Sequence, residues 1–206
     1  KKEREKWESK NSKNKSSKKD DDKKSTSKSS KTFVPPKPDP RVQPFLDLRD
    51  GKLRALFSVG NAASYVHLED AIGDEEFEWH LRVPLTRDIH ILHVKDKVGD
   101  KGCYCLMEPL ITLMPGTMRQ RNLPAEFDRA GAKLVLLPRS DSAVGFKAFF
   151  EDVGVMIAAG LDRKSAMRAI TQHPAGFLGM GDKLGTLGEG KRANLLVLSG
   201  DPFQPG

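Results

Sequence analysis

Strand-like and helix-like patterns alternate between residues 53 and 159, and this alternation restricts the fold more than any other feature of the chain. Short apolar runs typical of strands occur at Leu53–Val59, Phe77–Val83, Cys103–Met107 and Lys133–Leu137. Helical spacing follows each run, at Ala62–Ile72, Thr86–Lys101, Leu123–Ala130 and Phe146–Ala159. Because such alternation is typical of parallel strands joined by right-handed crossovers, the sequence predicts an α/β fold built on a parallel sheet.

The stretch from Val153 to Pro202 carries further local signals. Asp162 precedes a helical pattern, and we expect its side chain to cap that helix. Pro174 suits the first turn of a short helix over Ala175–Leu178. Tight turns with positive φ are expected at three glycines, Gly185, Gly188 and Gly190. Leu195–Leu198 is a continuous apolar run, which predicts a strand that is buried on both faces.

The same stretch contains many residues whose order and spacing match a known pattern. They are Gly160, Leu161, Ala166, Ala169, Thr171, Pro174, Ala175, Leu178, Gly179, Gly185, Leu187, Gly190, Lys191, Ala193, Leu195, Val197, Gly200, Asp201 and Pro202. Taken together, these residues resemble the C-terminal end of the amidohydrolase superfamily. Asn194 departs from the pattern, since the family usually has Asp there, but the position lies at a structural turn.

The resemblance implies a partial (β/α)8 TIM barrel, comprising strands five to eight, followed by a terminal strand of a small β-sandwich. Residues 41–192 would form the C-terminal half of the barrel, and residues 193–206 would supply the strand of a composite β-sandwich domain. Four strands cannot close a barrel and leave two sheet edges open. We therefore expect the missing N-terminal half of the same barrel to be a partner, and the piece alone to be unstable or to form a homo-oligomer.

Charge is concentrated at the start of the chain, which begins with Lys and reads as a fragment. Residues 1–31 hold 13 basic and 6 acidic residues, and this excess equals the net charge of +7 of the whole chain. Residues 1–32 form a low-complexity, Lys/Ser-rich segment that we expect to be disordered, and residues 33–40 form a Pro-rich linker. The remainder is neutral, so no nucleic-acid partner is expected, although the basic tract leaves open a tether to polyanions.

The two cysteines, Cys103 and Cys105, are two positions apart in a predicted strand. Positions i and i+2 of a strand share a face, so both thiols should point into one layer. Buried, reduced thiols are favoured over a zinc site, because no second cysteine pair accompanies them. No apolar run approaches the roughly 20 residues that span a bilayer, so no membrane partner is expected.

The resemblance also implies where the chemistry lies. Amidohydrolases typically bind one or two divalent metal ions, with zinc the first choice here, at the carboxyl ends of the strands. Their usual ligands are a His-x-His pair after strand one, a Lys or Glu on strand four, a His after each of strands five and six, and an Asp after strand eight. Asp141 matches the last of these and is the expected metal ligand and catalytic residue. His80, inside the second strand run, is the second candidate ligand.

Each candidate has a plainer interpretation, and part of the expected ligand set is missing. Asp141 would otherwise cap the next helix or hold its loop, and His80 would be an ordinary strand histidine. Neither 58–61 nor 82–84 contains the expected histidine, and Asn61 could coordinate only weakly through its amide oxygen. Arg121 or Arg139 could hold an anionic substrate group, although a surface arginine is the commoner explanation.

The remaining histidines are interpreted as structural. They are His67, expected on a helix and exposed, His90 and His93, expected on the helix after the second strand, and His173, expected in a loop or cap. The sequence thus predicts a hydrolase that acts on a non-peptide carbon–nitrogen bond, in a cyclic amide or a related small molecule, by metal-activated water. The alternative is a catalytically degenerate barrel that serves as a binding or scaffold domain.

Overall fold

The computed structural model describes residues 39–84 and 89–204. The predictions for residues 1–32 and for the linker up to residue 38 lie outside this part, as do residues 86–88 of the predicted second crossover helix. The chain divides into two compact units, Lys1–Leu46 and Asp47–Gly206. Of the first unit, only 39–46 are described, and they contain the beginning of the first helix.

Four parallel strands form the main sheet, as the alternation predicts. They are β1 (Ala55–Ser58), β2 (Trp79–Val83), β3 (Tyr104–Met107) and β6 (Lys133–Leu136). Their order in the sheet is the order in the chain, with every pair parallel. Since each predicted strand is found within its expected range, the α/β class with a mostly parallel sheet is confirmed.

Helices connect the strands and follow the last of them. They are α1 (Gln43–Arg49), α2 (Ala62–Ile72), a 3-10 helix (Ile89–Val94) running into α3 (Lys95–Lys101), α4 (Leu123–Arg129), α5 (Ala143–Ala158), α6 (Arg163–Ile170) and α7 (Gln172–Phe177). Asp162 caps α6 as expected, because its carboxylate accepts the Ser165 N–H at 2.8 Å. Gly185 and Gly190 have positive φ as predicted. Gly188 does not, so the prediction of a positive φ at Gly188 is wrong.

The two faces of the sheet differ in what covers them. One face forms the hydrophobic core beneath most of the helices, with Leu81, Val83, Cys105, Met107, Leu134 and Leu136 all buried, whereas Phe177 of α7 packs on the other face near its amino end. Alternation along the strands places another set on the opposite side, which we call the open face: Leu56, Ser58, His80, Arg82, Tyr104, Leu106, Lys133 and Val135. Towards the carboxyl ends of β1 and β2 this face is exposed, at Ser58 and Arg82.

The crossover from β3 to β6 contains a hairpin before its helix. The hairpin consists of β4 (Ile111–Leu113) and β5 (Gln120–Asn122), paired antiparallel. The turn between them places Pro115 before Gly116, which has a φ of 69°, and the Thr117 N–H bonds to the Met114 carbonyl at 3.0 Å. Pro followed by Gly is the signature of a type II turn, so the signal was present in the sequence.

The terminal apolar run differs most from its prediction. Leu195, Leu196, Val197 and Leu198 are 57%, 77%, 97% and 53% exposed, and no strand forms there among the described residues. A strand needs a neighbour to satisfy its backbone groups and cover its side chains. Within the described part of the chain no such neighbour is present, so the expectation of a buried strand is wrong for this chain.

Both cysteine thiols lie where the strand pattern places them. Cys103 and Cys105 are buried and unpaired, and both belong to the core. Burial raises the pKa of the Cys103 thiol to about 11 and also raises the pKa of Cys105. They are therefore reduced core residues, as expected. Within the described ranges, none of the helices combines the length and apolar character needed to cross a membrane.

Candidate functional site

The carboxyl ends of the four parallel strands lie along one edge of the sheet. Parallel α/β folds place their ligand sites at this edge. The edge is formed by the ends of the four strands at Ser58, Val83, Met107 and Leu136. Polar groups that reach this edge from the open face or from the following loops are therefore the candidates for chemistry.

Three polar residues lie close together at this edge on the open face. Ser58 and Arg82 are Cα partners in the pairing of β1 with β2, and Glu108 follows the last residue of β3. Arg82 Nη2 donates to Glu108 Oε1 at 3.2 Å, and the Arg82 side chain is 49% exposed, whereas that of Glu108 is only 12% exposed. The second oxygen of Glu108 is buried and has no hydrogen-bond partner.

Asp141 lies in the loop between β6 and α5, beyond the carboxyl end of the last strand. Its side chain is exposed, and the structure shows no hydrogen bond or ion pair for it among the described residues. The cap of α5 is Ser142, whose hydroxyl accepts the Gly145 N–H at 3.1 Å and lies 2.8 Å from the Ser140 hydroxyl. The alternative interpretation of Asp141 as the helix cap is thus wrong, and its carboxylate is free to act.

His80 lies at the other end of the sheet. It is the second residue of β2, is 4% exposed, and packs against the rings of Tyr104 and Phe177 at centroid distances of 5.2 and 5.3 Å. Its Nδ1 accepts the Tyr104 N–H at 3.4 Å, and its Nε2 is 3.4 Å from Glu78 without forming a hydrogen bond. Since the strands are parallel, the structure does not bring His80 and Asp141 together.

Two histidines near the amino ends of the strands, the buried His80 and the partly buried His173, have lowered pKa values. Burial lowers the pKa of His80 below the ordinary 6.5, against the opposing effect of Glu78. The pKa of His173, whose ring Nδ1 lies 2.7 Å from the Leu134 carbonyl, is also lowered by burial. His173 lies inside α7, so the expectation of a loop or cap residue is wrong. The His173 ring contacts a backbone carbonyl of β6, which is an edge strand of the sheet.

We expect stability to fall as the pH drops below about 6.5. A group whose folded pKa is lowered binds protons better in the unfolded state, so acid favours unfolding. The urea midpoint should fall between about pH 7.5 and about pH 5, and His80→Phe should flatten this dependence. His67→Gln, at an exposed helical position, is the matched control and should leave the pH dependence unchanged. An identical pH dependence for His80→Phe and wild type would contradict this assignment.

The other sequence candidates are occupied by structural contacts. Asn61 caps α2, because its Oδ1 accepts the Ser64 N–H at 2.8 Å. Arg139 makes a two-pronged ion pair with Asp152, with bonds of 2.9 and 2.8 Å. Arg121 pairs with Glu126 at 3.1 Å. Both prongs of Arg139 are thus occupied, whereas Arg121 uses one guanidinium nitrogen in its ion pair.

His67, His90 and His93 agree with a structural interpretation. His67 is exposed on α2. The rings of His90 and His93 stack on each other in the 3-10 helix, with centroids 5.8 Å apart.

The described residues do not assemble a metal site. No three His, Cys, Asp or Glu side chains within 39–84 and 89–204 cluster as a metal ion requires. At the carboxyl edge Asp141 offers one exposed carboxylate as a metal ligand. His80 lies near the amino end of β2 and does not join it. The donor set present in this part of the chain therefore does not fit a divalent ion.

Sequence reasoning missed Arg82 and Glu108, although a signal for them exists. Glu108 directly follows an apolar strand and precedes a proline, a pattern that marks the carboxyl end of the strand. Arg82 is a charged residue between two apolar ones, Leu81 and Val83, near the end of β2. Which face each residue occupies depends on the register, which the sequence does not reveal.

A separate cavity of about 520 Å³ lies away from the strand ends. It is bounded by Met167 of α6, by Thr171 just beyond that helix, and by residues between Leu184 and Leu195. No residue of the four parallel strands lines it. It therefore accompanies the uncovered terminal segment and is not part of the candidate site.

Comparison with known proteins agrees with this architecture. The model of the amidohydrolase family matches residues 131–205. The crystal structure of an amidohydrolase from Thermotoga maritima MSB8 superposes with a TM-score of 0.65 at 18% identity, covering 85% of this chain and 45% of that one. No curated protein that was compared matches the chain.

The likeness to the Thermotoga protein shows the fold alone, because the identity is low. The chain spans less than half the length of that protein. Members of the matched family typically use a divalent metal. The family model that matches residues 131–205 and the fold shared with the Thermotoga protein thus agree with the resemblance to the amidohydrolase superfamily that the sequence carries.

Proposed function

We propose that this chain supplies the C-terminal half of a (β/α)8 barrel, strands five to eight, in a hydrolase of the amidohydrolase kind. The substrate is a cyclic amide or a related small molecule, and the bond broken is a non-peptide carbon–nitrogen bond. Residues 41–192 belong to the barrel, and residues 193–206 pair as a strand of a small β-sandwich in the full-length protein. The match of the amidohydrolase family model to residues 131–205 and the parallel sheet support this proposal.

Asp141 is the residue proposed to handle the proton. Its carboxylate takes a proton from the water that attacks the amide carbon, and then returns a proton to the nitrogen that leaves. A positioned carboxylate contributes to such a reaction by general acid–base catalysis. The observation that carries the proposal is the exposed, unpartnered carboxylate beyond the carboxyl end of the last parallel strand.

A divalent metal, zinc in the first place, would polarise the carbonyl and lower the pKa of the water. Because the described residues do not form its ligand set, none of the proposed steps depends on it. The partner that would complete the barrel is the N-terminal half of the same fold, and a second copy of the chain is the other candidate to cover the open edges.

The test is a hydrolysis screen with the full-length protein. Five- and six-membered cyclic amides are incubated beside linear N-acyl amines and a carboxylic ester, and the products are identified by NMR. We expect ring opening of at least one cyclic amide and slower turnover of the linear amides. Cleavage of the ester alone would contradict the proposed bond class.

A degenerate barrel that binds without turnover is the second candidate. The observation in its favour is the absence of histidine at the ends of β1 and β2, where residues 58–61 and 82–84 stand. In that case every compound in the screen remains intact, while ligands still bind to the full-length protein.

A further inference from the structure

We propose that Arg82 binds a carboxylate group of the substrate at the open face of the sheet, and that Glu108 holds its guanidinium in position. This inference rests on the proposed function and deepens it, because it names the substrate class: an amide that carries a negative charge. Ser58, the neighbour of Arg82 on β1, supplies a second donor to the same group.

The position of Arg82 is that of a ligand-binding residue. It is the second-last residue of β2 and lies on the open face, so its side chain leaves the sheet at the edge where parallel α/β folds bind ligands. Asp141 follows the last strand beyond the same edge. An anion held by Arg82 would thus place the rest of a small molecule among the carboxyl ends of the strands.

A contribution to folding stability does not explain the ion pair between Arg82 and Glu108. Pairs of exposed charges contribute little, and taking a carboxylate out of water costs free energy that a single partner repays poorly. Glu108 nevertheless has a 12% exposed side chain with one oxygen buried and unpartnered. It also lines a cleft of about 10 Å³, roughly the space of a single water. Glu108 is therefore too enclosed to meet substrate and serves as a positioning residue.

Arg82 keeps donors for a ligand. Only Nη2 is bonded to Glu108, and among the residues that the structure describes the other guanidinium nitrogens have no partner. The planar guanidinium suits the two oxygens of a carboxylate. Arg139 provides the contrast, since its fork is already filled by Asp152 at 2.9 and 2.8 Å.

The test compares two probes that differ by one carboxylate. Pyroglutamate and 2-pyrrolidinone share a five-membered cyclic amide, and only pyroglutamate is charged. Binding of each to the full-length protein is measured by NMR titration or calorimetry. We expect pyroglutamate to bind about tenfold or more tightly than 2-pyrrolidinone, as a charge-assisted hydrogen bond allows.

Three variants decide the role of Arg82. Arg82→Gln should abolish the preference and leave binding of 2-pyrrolidinone unchanged, while Arg82→Lys should restore part of the preference because the charge remains. Arg139→Gln is the matched control and should retain the wild-type preference. Equal binding of the two probes by wild type, or an undiminished preference in Arg82→Gln, would overturn the proposal. Inorganic phosphate that competes better than acetate would overturn the choice of a carboxylate.

The binding test is independent of turnover. Asp141→Asn should keep the preference for pyroglutamate, because Asp141 handles the proton and does not hold the anion. If wild type prefers pyroglutamate but hydrolyses no amide, the anion site is supported and the proposed reaction is contradicted. If it hydrolyses an amide but binds the two probes equally, the reaction is supported and the anion site is contradicted.

Discussion

Asp141→Asn is expected to lower kcat by about 100-fold or more, the range over which a general acid–base group acts. Asparagine keeps the shape and polarity of the side chain but cannot take a proton from water. Since Asp141 is exposed and has no partner among the described residues, the substitution removes a function without removing a structural contact. The measurement is turnover of the cyclic amide that the screen identifies, at saturating substrate.

The matched control for this variant is Asp74→Asn. Asp74 is also exposed, but it lies in the turn before β2, at the amino end of the strands. We expect it to retain wild-type turnover. A circular dichroism melt of both variants should match that of wild type, because neither carboxylate is buried or paired. Equal turnover of Asp141→Asn and Asp74→Asn would remove Asp141 from the mechanism.

The strands and crossovers were predictable because their signals are local. A strand buried on its core face has apolar residues regardless of what lies beyond the sheet, and a helix cap such as Asp162 depends only on the next three residues. The place of Asp141 after the last strand followed from the order of residues alone. These features require no knowledge of which elements meet.

Features that depend on distant partners were not predictable in the same way. Gly99 shows this, since a Cβ there would overlap the carbonyl oxygen of Ala130 at the end of α4. No periodicity reveals that close approach. The exposed run from Leu195 to Leu198 has the composition of a buried strand, but its state depends on whether a neighbouring strand exists.

The candidate site shows the same division. The loop position of Asp141 is visible in the order of residues, whereas the pairing of Arg82 with Glu108 depends on the register of β2 against β3. A shift of one residue would turn Arg82 towards the core. The sequence therefore suggested Arg121 and Arg139 for an anionic group and gave no reason to choose Arg82.

Phe127→Ala is expected to lower the free energy of unfolding by about 4 kcal/mol, within the range for truncating a buried phenylalanine. Phe127 has 0% exposure and belongs to the core that α4 forms with the sheet and the 3-10 helix. Its backbone carbonyl also accepts the Ala132 N–H at 3.0 Å, just before β6. The cavity left by the ring would thus lie beside the strand that leads to Asp141. The urea midpoint of the full-length protein measures the loss.

Phe146→Ala is the matched control, since this phenylalanine is 58% exposed on the first turn of α5. We expect a change within about 0.5 kcal/mol, as for most surface substitutions. The comparison tests whether the core lies on the face of the sheet that α4 covers. Equal losses from the two substitutions would mean that Phe127 is not enclosed, and the assignment of the core to that face would be lost.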